Sequence, residues 1–511
     1  MNVKSDKEQK NMKKLFKYYL GRIIINGLFL LIQLLLIIGC CCYICIHWHW
    51  VNIIISFAAL ILALKIAVMK CNIPCRIGWI IGILFLPVLF IPMYILYGRG
   101  TALKKILRYL RNNPLPLSRS EKIDAPLRIL KQFEGLSAIS GFPAYTDSNC
   151  EYYPTGESFF EAMKKDLKSA ERYIFLEFFI INFGIMWDET LAILEEKIKQ
   201  GVKVYILYDD LGTIALLPPD FIKQMKDKGI NAKIFNLFNG KITPKINYRD
   251  HRKIIVVDGK YAITGGANIA DEYINKTSPY GYWKDTAIRV EGKSADTFAA
   301  MFIQMWNMNG DILKYEDFLG FNCESSKTNS SALLPFGDYP MYSIGFTERA
   351  FLNMINNAES EINITTPYLI PDSRLLSAIC LASENGIKVR LFTPEIPDKK
   401  YIHIITRANY ITLLKCGVEV YEFSDGFIHA KSILCDNEIA YVGSANLDYR
   451  SLYIHFESGA LMYKTKSVSQ LRDDIKGLLK SSKKISLDDP RIVKADKNII
   501  YRFLRIFSGL L

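Results

Sequence analysis

Two short segments of this chain each set a lysine two residues after a histidine: His251-Arg-Lys253-Ile-Ile-Val-Val-Asp258 and His429-Ala-Lys431-Ser-Ile-Leu-Cys-Asp436, both reading H-x-K-x-x-x-x-D. Gly265-Gly266-Ala267-Asn268 follows the first and Gly443-Ser444-Ala445-Asn446 the second, so His, Lys and Asn recur at offsets 0, 2 and 17. Two imidazoles with two ammonium groups suit displacement at a phosphodiester. One imidazole attacks phosphorus, the other protonates the departing alkoxide, and the lysines hold the phosphoryl oxygens. An imidazole with an ordinary pKa of about 6.5 can stand ready as either nucleophile or acid near neutral pH.

A lone histidine on a sheet is usually an ordinary packed residue, but a duplicated set of three is hard to explain by packing. It predicts one site assembled across a pseudo-two-fold axis. Asp258 and Asp436 complete the motif and stand as catalytic candidates, although each falls where a strand ends and a turn role is equally open. Asp285, in Tyr282-Trp-Lys-Asp285, and Glu457, in His455-Phe-Glu-Ser458, are the candidates to orient each histidine, lying 34 and 28 residues after the histidine of their own half. His403 and His455 lack partners at motif spacing and read as structural or surface residues.

The elements that must carry these groups alternate along the chain. A helix is expected over 158–172, a strand over 173–181, a helix over 189–200 and a strand over 201–208, and the order repeats over 348–360, 361–368, 373–384 and 386–392. This pattern implies α/β architecture with mostly parallel or mixed central sheets, in two duplicated halves at 141–325 and 335–511. Residues two apart on a strand share a face, so each His and its Lys can point at one ligand.

Half of the 511 residues are hydrophobic, and the excess lies at the N-terminus. After a basic segment over 1–22, uncharged or nearly uncharged runs over 23–46, 51–69 and 77–98 are candidate membrane helices. Seven cations precede the first run and seven against one anion follow the third, over 99–122, so both flanks are expected in the cytoplasm. Three crossings would separate those flanks; Pro87 and Pro92 mark the third run as a kinked, re-entrant or interfacial helix. Residues 99–140 are expected to form a basic linker. The excess of 13 positive charges fits an anionic bilayer better than nucleic acid. Eleven cysteines show neither zinc spacing nor a disulfide framework, which points to a reducing compartment for the catalytic part. At the C-terminus Ile500, Phe503, Leu504, Phe507 and Leu511 fall near one helical face, suited to a membrane surface or to docking on the protein.

Some alternatives fail on single residues. Glu291-Gly292-Lys293-Ser294 ends like a P-loop, but Ala287 stands where the first glycine is needed. Asp258-Gly259 opens like a CDP-alcohol transferase signature, but Ile263 stands where Arg should be. No cofactor and no metal site is therefore expected.

The two H-x-K segments, with Asn247-Tyr-Arg-Asp-His251, Gly281-Tyr-Trp-Lys-Asp285, Thr365-Thr-Pro-Tyr-Leu-Ile-Pro-Asp372, Ile396-Pro-Asp-Lys-Lys400, Gly426-Phe-Ile-His429 and Asn446-Leu-Asp-Tyr-Arg-Ser451, resemble the phospholipase D superfamily and, within it, the bacterial cardiolipin synthases. The resemblance runs from about residue 20 to the C-terminus. It implies phosphatidyl transfer between two phosphatidylglycerol molecules through a phosphatidyl-histidine, at a multi-pass bacterial membrane protein with cytoplasmic catalytic domains. In that frame His251 and His429 are nucleophile and acid/base, with His251 the favoured nucleophile though the equivalent frames leave the roles exchangeable. Lys253, Lys431, Asn268 and Asn446 bind phosphate, and Asp285 and Glu457 orient the histidines. A hydrolytic phospholipase D shares the first half-reaction, and an inactive membrane scaffold is the non-enzymatic alternative. A homo-oligomer is left open.

Overall fold

A computed structural model describes most of residues 49–497 and scattered positions from 24 to 47. Residues 70–72, 99–100, 147–148, 239–246, 309, 321–329, 341–344 and 498–511, with most of 1–48, lie outside the described residues. The first apolar run and the C-terminal apolar face therefore fall largely or wholly outside them.

Helix α1 (His49–Ala67) is long and apolar enough to cross a membrane. It packs Ala59 and Ile66 against a small cluster with Ile83 and Tyr94, and leaves Ile53, Ile54, Phe57, Ile61 and Leu64 exposed. The third apolar run is not one helix. It divides into α2 (Ile73–Phe85) and α3 (Pro87–Met93), because Pro87 has no amide to continue the ladder and sits at the first turn of a new helix instead. Arg76 Nη1 donates to the Ala67 carbonyl at 2.9 Å, satisfying an end of α1.

The stretch expected as a linker is largely helical: α4 (Thr101–Asn112) and α5 (Leu127–Ser140). Leu103 of α4 is buried and Tyr109 Oη donates to the Gln304 carbonyl, so the apolar face docks on the protein while Lys104 and Lys105 stay exposed. In α5, Ile129, Phe133 and Leu136 enter the main core; burying each is worth roughly 1.5–3 kcal/mol.

In the first half the strands are β1 (Cys150–Tyr153), β2 (Tyr173–Phe178), β3 (Lys203–Asp209), β4 (Asn231–Phe235), β5 (Lys253–Val257), β6 (Tyr261–Gly265), β7 (Tyr282–Lys284) and β8 (Ala287–Glu291). In the second they are β9 (Ala332–Asp338), β10 (Glu361–Thr365), β11 (Lys388–Pro394), β12 (Glu419–Phe423), β13 (Gly426–Ile428), β14 (Ser432–Cys435), β15 (Ile439–Gly443), β16 (Glu457–Tyr463) and β17 (Ser482–Ile485). One sheet runs β1-β8-β6-β5-β2-β3-β4 and the other β17-β12-β11-β10-β14-β15-β16-β9, so the order β6-β5-β2-β3-β4 recurs as β15-β14-β10-β11-β12. Only β2-β3-β4 and β10-β11-β12 are parallel pairs in these two sheets. Of the mostly parallel or mixed sheets expected, the mixed form is the one observed. The strand after each H-x-K turns back through a three-residue connection, which permits a hairpin but not a crossover.

The halves are tied where it matters for chemistry. β13 pairs in parallel with β7, aligning Ile428 with Lys284, and a bridge joins Asp250 to Phe456. Thr264 and Ser458 hydroxyls meet at 2.9 Å between β6 and β16, and one hydrophobic core runs through both sheets.

Candidate active site

His251 and His429 each stand just before a wholly buried apolar strand, β5 or β14. The Ile-Ile-Val-Val and Ile-Leu-Cys runs fix those strands in mid-sheet, so both imidazoles are held at strand ends with little freedom. The His251 amide donates to the Phe456 carbonyl at 3.0 Å, and the His429 amide donates to the Lys284 carbonyl at 2.7 Å. Each histidine is thus laid beside the segment that leads to the other half's carboxylate.

The consequence is a crossed pairing. His251 Nδ1 lies 3.0 Å from both Glu457 oxygens, and His429 Nδ1 lies 2.6 Å from Asp285 Oδ2. The expectation that each acid serves the histidine of its own half is corrected. The carboxylate oxygens accept only, so each Nδ1 carries the proton and each Nε2 lone pair is left for substrate. The two acids are equivalent in the fold, because Gly265 pairs with Ala287 and Gly443 with Gly459, two residues beyond each acid. Their unequal sequence offsets come from a longer loop before β7, not from different places in the sheet.

Asp258 and Asp436 do not join the site. Asp258 accepts from the amides of Glu171, Arg172 and Tyr173 at 2.8 Å, tying the β5-β6 turn to the start of β2. Asp436 does the same for Glu359, Ser360 and Glu361 at the start of β10. Both hold left-handed backbone, φ 55° and 53°, and a strand of intervening residues, at about 3.3 Å each, puts them near 20 Å from their histidines. Their catalytic candidacy is replaced by a turn role.

Lys253 Nζ donates to the His251 carbonyl at 2.5 Å, and Lys431 Nζ donates to the His429 carbonyl. Asn268 accepts from the Ile180 amide at 3.0 Å and donates to Tyr273 Oη at 2.6 Å. Asn446 is buried with Oδ1 unpartnered. Burial pushes Lys253 down to about 8 and Lys431 to about 7, with Glu457 and Asp285 pulling the former up and Asp285 the latter. Burial first, then Lys253, Lys431, His429 and Lys399, holds His251 well below the usual imidazole value. Burial and then Lys431 lower His429 to about 4, against the pull of Asp285. The β13–β7 pairing and the Asp250–Phe456 bridge draw the two halves together at these strand ends, and the groups that depress His251 come from both halves: Lys253 from the first, Lys431 and His429 from the second. A buried cationic locus with two unprotonated Nε2 atoms is suited to a phosphodiester anion.

Sequence reasoning set His455 aside, yet it lies partly buried with its ring 5.5 Å from that of His251. It stands two residues before Glu457, as Trp283 stands two before Asp285, and Trp283 packs 5.3 Å from the His429 ring. That shared offset was the available signal. Ser444 was also missed as an individual: its Oγ donates to Glu457 Oε2 at 2.5 Å, whereas a Cβ at the equivalent Gly266 would collide with Asp285. His251, His455 and Glu457 bring three ligand-type atoms within 4.8 Å. Arg450 Nε, however, donates to His455 Nε2 at 3.3 Å, which takes the one lone pair of a neutral imidazole. His403 stays structural, buried 3.9 Å from Glu422.

The family described as cardiolipin synthase, PLD-like domain, matches residues 163–306 and 351–479. An uncharacterized Streptococcus mutans protein is 40% identical over 376 residues, covering 74% of this chain and 81% of its own length. A Staphylococcus epidermidis protein named cardiolipin synthase 2 is 31% identical over 458 residues, covering 85% of this chain and 91% of its own. Among solved structures, the phosphatidylserine synthase of Haemophilus influenzae superposes with a TM-score of 0.55 at 15% identity, over 74% of this chain and all of that one. That likeness speaks to the fold.

Proposed function

Because the chain belongs to the cardiolipin synthase family of phospholipase D-like proteins, we propose that it transfers a phosphatidyl group from one phosphatidylglycerol to another, giving cardiolipin and free glycerol. The observation that carries this reading is the crossed pairing of His251 with Glu457 and His429 with Asp285. It requires both halves, read here as duplicated phospholipase D-like domains about a pseudo-two-fold axis, for one site.

His251 Nε2 attacks the phosphorus of the first lipid, and His429 delivers a proton to the departing glycerol oxygen. The P–O bond breaks as the P–N bond forms. A primary hydroxyl of the second phosphatidylglycerol then gives its proton to His429 and attacks phosphorus, releasing His251 and forming the new phosphodiester. Lys253 and Lys431, turned from the histidine carbonyls, meet the phosphoryl oxygens, with Asn268 and Asn446 beside them. One phosphodiester replaces another, so no nucleotide is consumed. His429 starts with too little affinity for a proton to serve as an acid, and the bound phosphodiester anion supplies what raises it. His251 is assigned as the nucleophile because burial, with Lys253 and Lys431 nearby, holds its pKa well below the ordinary imidazole value and keeps Nε2 unprotonated.

The diacyl substrate accounts for a membrane segment. The exposed apolar face of α1 suits lipid, and the cations over 99–122 favour a cytoplasmic catalytic part at an anionic surface, on a multi-pass chain. Purified full-length protein given labelled phosphatidylglycerol in liposomes is expected to release one glycerol per cardiolipin. Phosphatidic acid as the sole product would overturn the synthase in favour of a hydrolase.

A further inference from the structure

The two histidines are equivalent in the fold but not in their surroundings. Asp285 accepts from its own neighbour, the Thr286 amide, on Oδ1 and from His429 on Oδ2, with the Trp283 ring alongside. Glu457 meets His251, the Ser444 hydroxyl and a second imidazole, His455, whose Nδ1 stands 3.8 Å from Oε1. Arg450 has only donors, so its bond to His455 Nε2 forces the His455 proton onto Nδ1, toward Glu457. That Nδ1 has no closer partner among the described residues.

We propose that His455 is a positioning residue: its Nδ1–H faces Glu457, drains part of the carboxylate's charge, and thereby keeps His251 weakly basic with Nε2 bare and aimed at phosphorus. The equivalent place in the first half holds an indole against His429, so no such damping acts on Asp285. This divides the labour between two otherwise matched histidines and rests on the reading of His251 as nucleophile.

Several other groups face this cluster and remain constant across the test. They are Arg450 and Asp448 at the helix Tyr449–Tyr453, Arg249 and Lys253 around His251, His429 and Lys431 from the β14 side, and Lys399 after β11. Two readouts apply to the full-length chain in detergent. One is the acidic limb of the kcat/KM profile, and the other is the Nδ1 proton resonance of His251 in protein carrying 15N-histidine, of which there are six.

His455→Phe removes the donor. It is expected to move the acidic limb up by about half a pH unit, a threefold gain in proton affinity, and to shift the His251 Nδ1 proton downfield as its bond to Glu457 strengthens. The His429 resonance stays in place. His455→Asn sets an amide nitrogen where Nδ1 stood and is expected to restore both readouts. His455→Leu replaces the Phe variant should circular dichroism show the latter unfolded. An unmoved limb and resonance in the donor-free variant would overturn the proposal, as would equal shifts in the Asn variant, which would mark a packing role. If wild-type protein makes no cardiolipin, the proposed function fails, while the resonance still reads the His455 contact.

Discussion

Glu457→Gln is the sharpest perturbation of the crossed site. The amide keeps the shape of the side chain and can still meet Ser444, but it replaces a carboxylate that lies 3.0 Å from His251 Nδ1 through both oxygens. A hydrogen bond to a charged group is worth about 1.5–3 kcal/mol. That bond strengthens as His251 takes up positive charge during attack, so most of it is lost from the transition state and little from substrate binding. At about 1.36 kcal/mol per tenfold, kcat should fall roughly 10- to 150-fold with KM nearly unchanged. Asp285→Asn, which breaks a contact of 2.6 Å to His429, should lie toward the upper end of that range. The assay is steady-state release of labelled glycerol from phosphatidylglycerol in mixed micelles, with thermal unfolding of each variant as control. Glu457→Gln activity within about threefold of wild type, in a folded protein, would refute the crossed orientation. So would an Asp258→Asn variant that lost as much kcat as Glu457→Gln, since Asp258 faces the amides of residues 171–173 and not a histidine.

The lysines set a second expectation. Lys431 at about 7 and Lys253 at about 8 are charged below those values and neutral above them, so kcat/KM should fall as pH rises from about 7 through 8. A bound phosphodiester favours the ammonium form, so the same limb in kcat should lie at higher pH; coincident limbs would count against phosphate contact. Asp436→Ala should leave kcat within about twofold and lower stability by about 1–3 kcal/mol in denaturant titration, because the amides of Ser360 and Glu361 at the start of β10 lose a charged acceptor. Burial works against the Asp436 carboxylate, but the amides of Ser360, Glu359 and Glu361 hold its pKa below the ordinary value. Its contribution is therefore present above about 4 and lost as pH falls through the lower folded value, and the acid-unfolding curve of Asp436→Ala should lack that loss. Gly266→Ser, which copies the second half's Ser444, should abolish transfer, since a Cβ there collides with Asp285 and displaces the partner of His429; normal turnover would contradict the tight approach.

Much of this molecule is legible in its sequence because the deciding interactions are local. The Ile-Ile-Val-Val and Ser-Ile-Leu-Cys runs specify buried strands, and residues two apart on such a strand share a face, which fixes each Lys beside its His. The repeat of helix and strand around 158–208 and 348–392 is likewise written in periodicity, and the observed elements β2, β3, β10 and β11 fall within or beside the expected ranges. Pro87 announces its own break. The direction of neighbouring strands was less legible, because a hairpin return and a crossover differ in connection length rather than in strand composition.

What the tertiary structure decided is which acid serves which histidine, and what the motif's last Asp does. Asp258 and Asp436 share the rhythm of the catalytic set, but the length of a strand carries them to the opposite end, where bare amides of β2 and β10 need acceptors. Glu457 reaches His251, and Asp285 reaches His429, only because Phe456 lies beside Arg249-Asp250 and β7 lies beside β13. The same contacts lift His455 from an unpaired residue in the sequence to a partly buried neighbour of the reacting imidazole. Spacing along a chain determines which groups share a strand, while packing between strands far apart in sequence determines which groups share a proton.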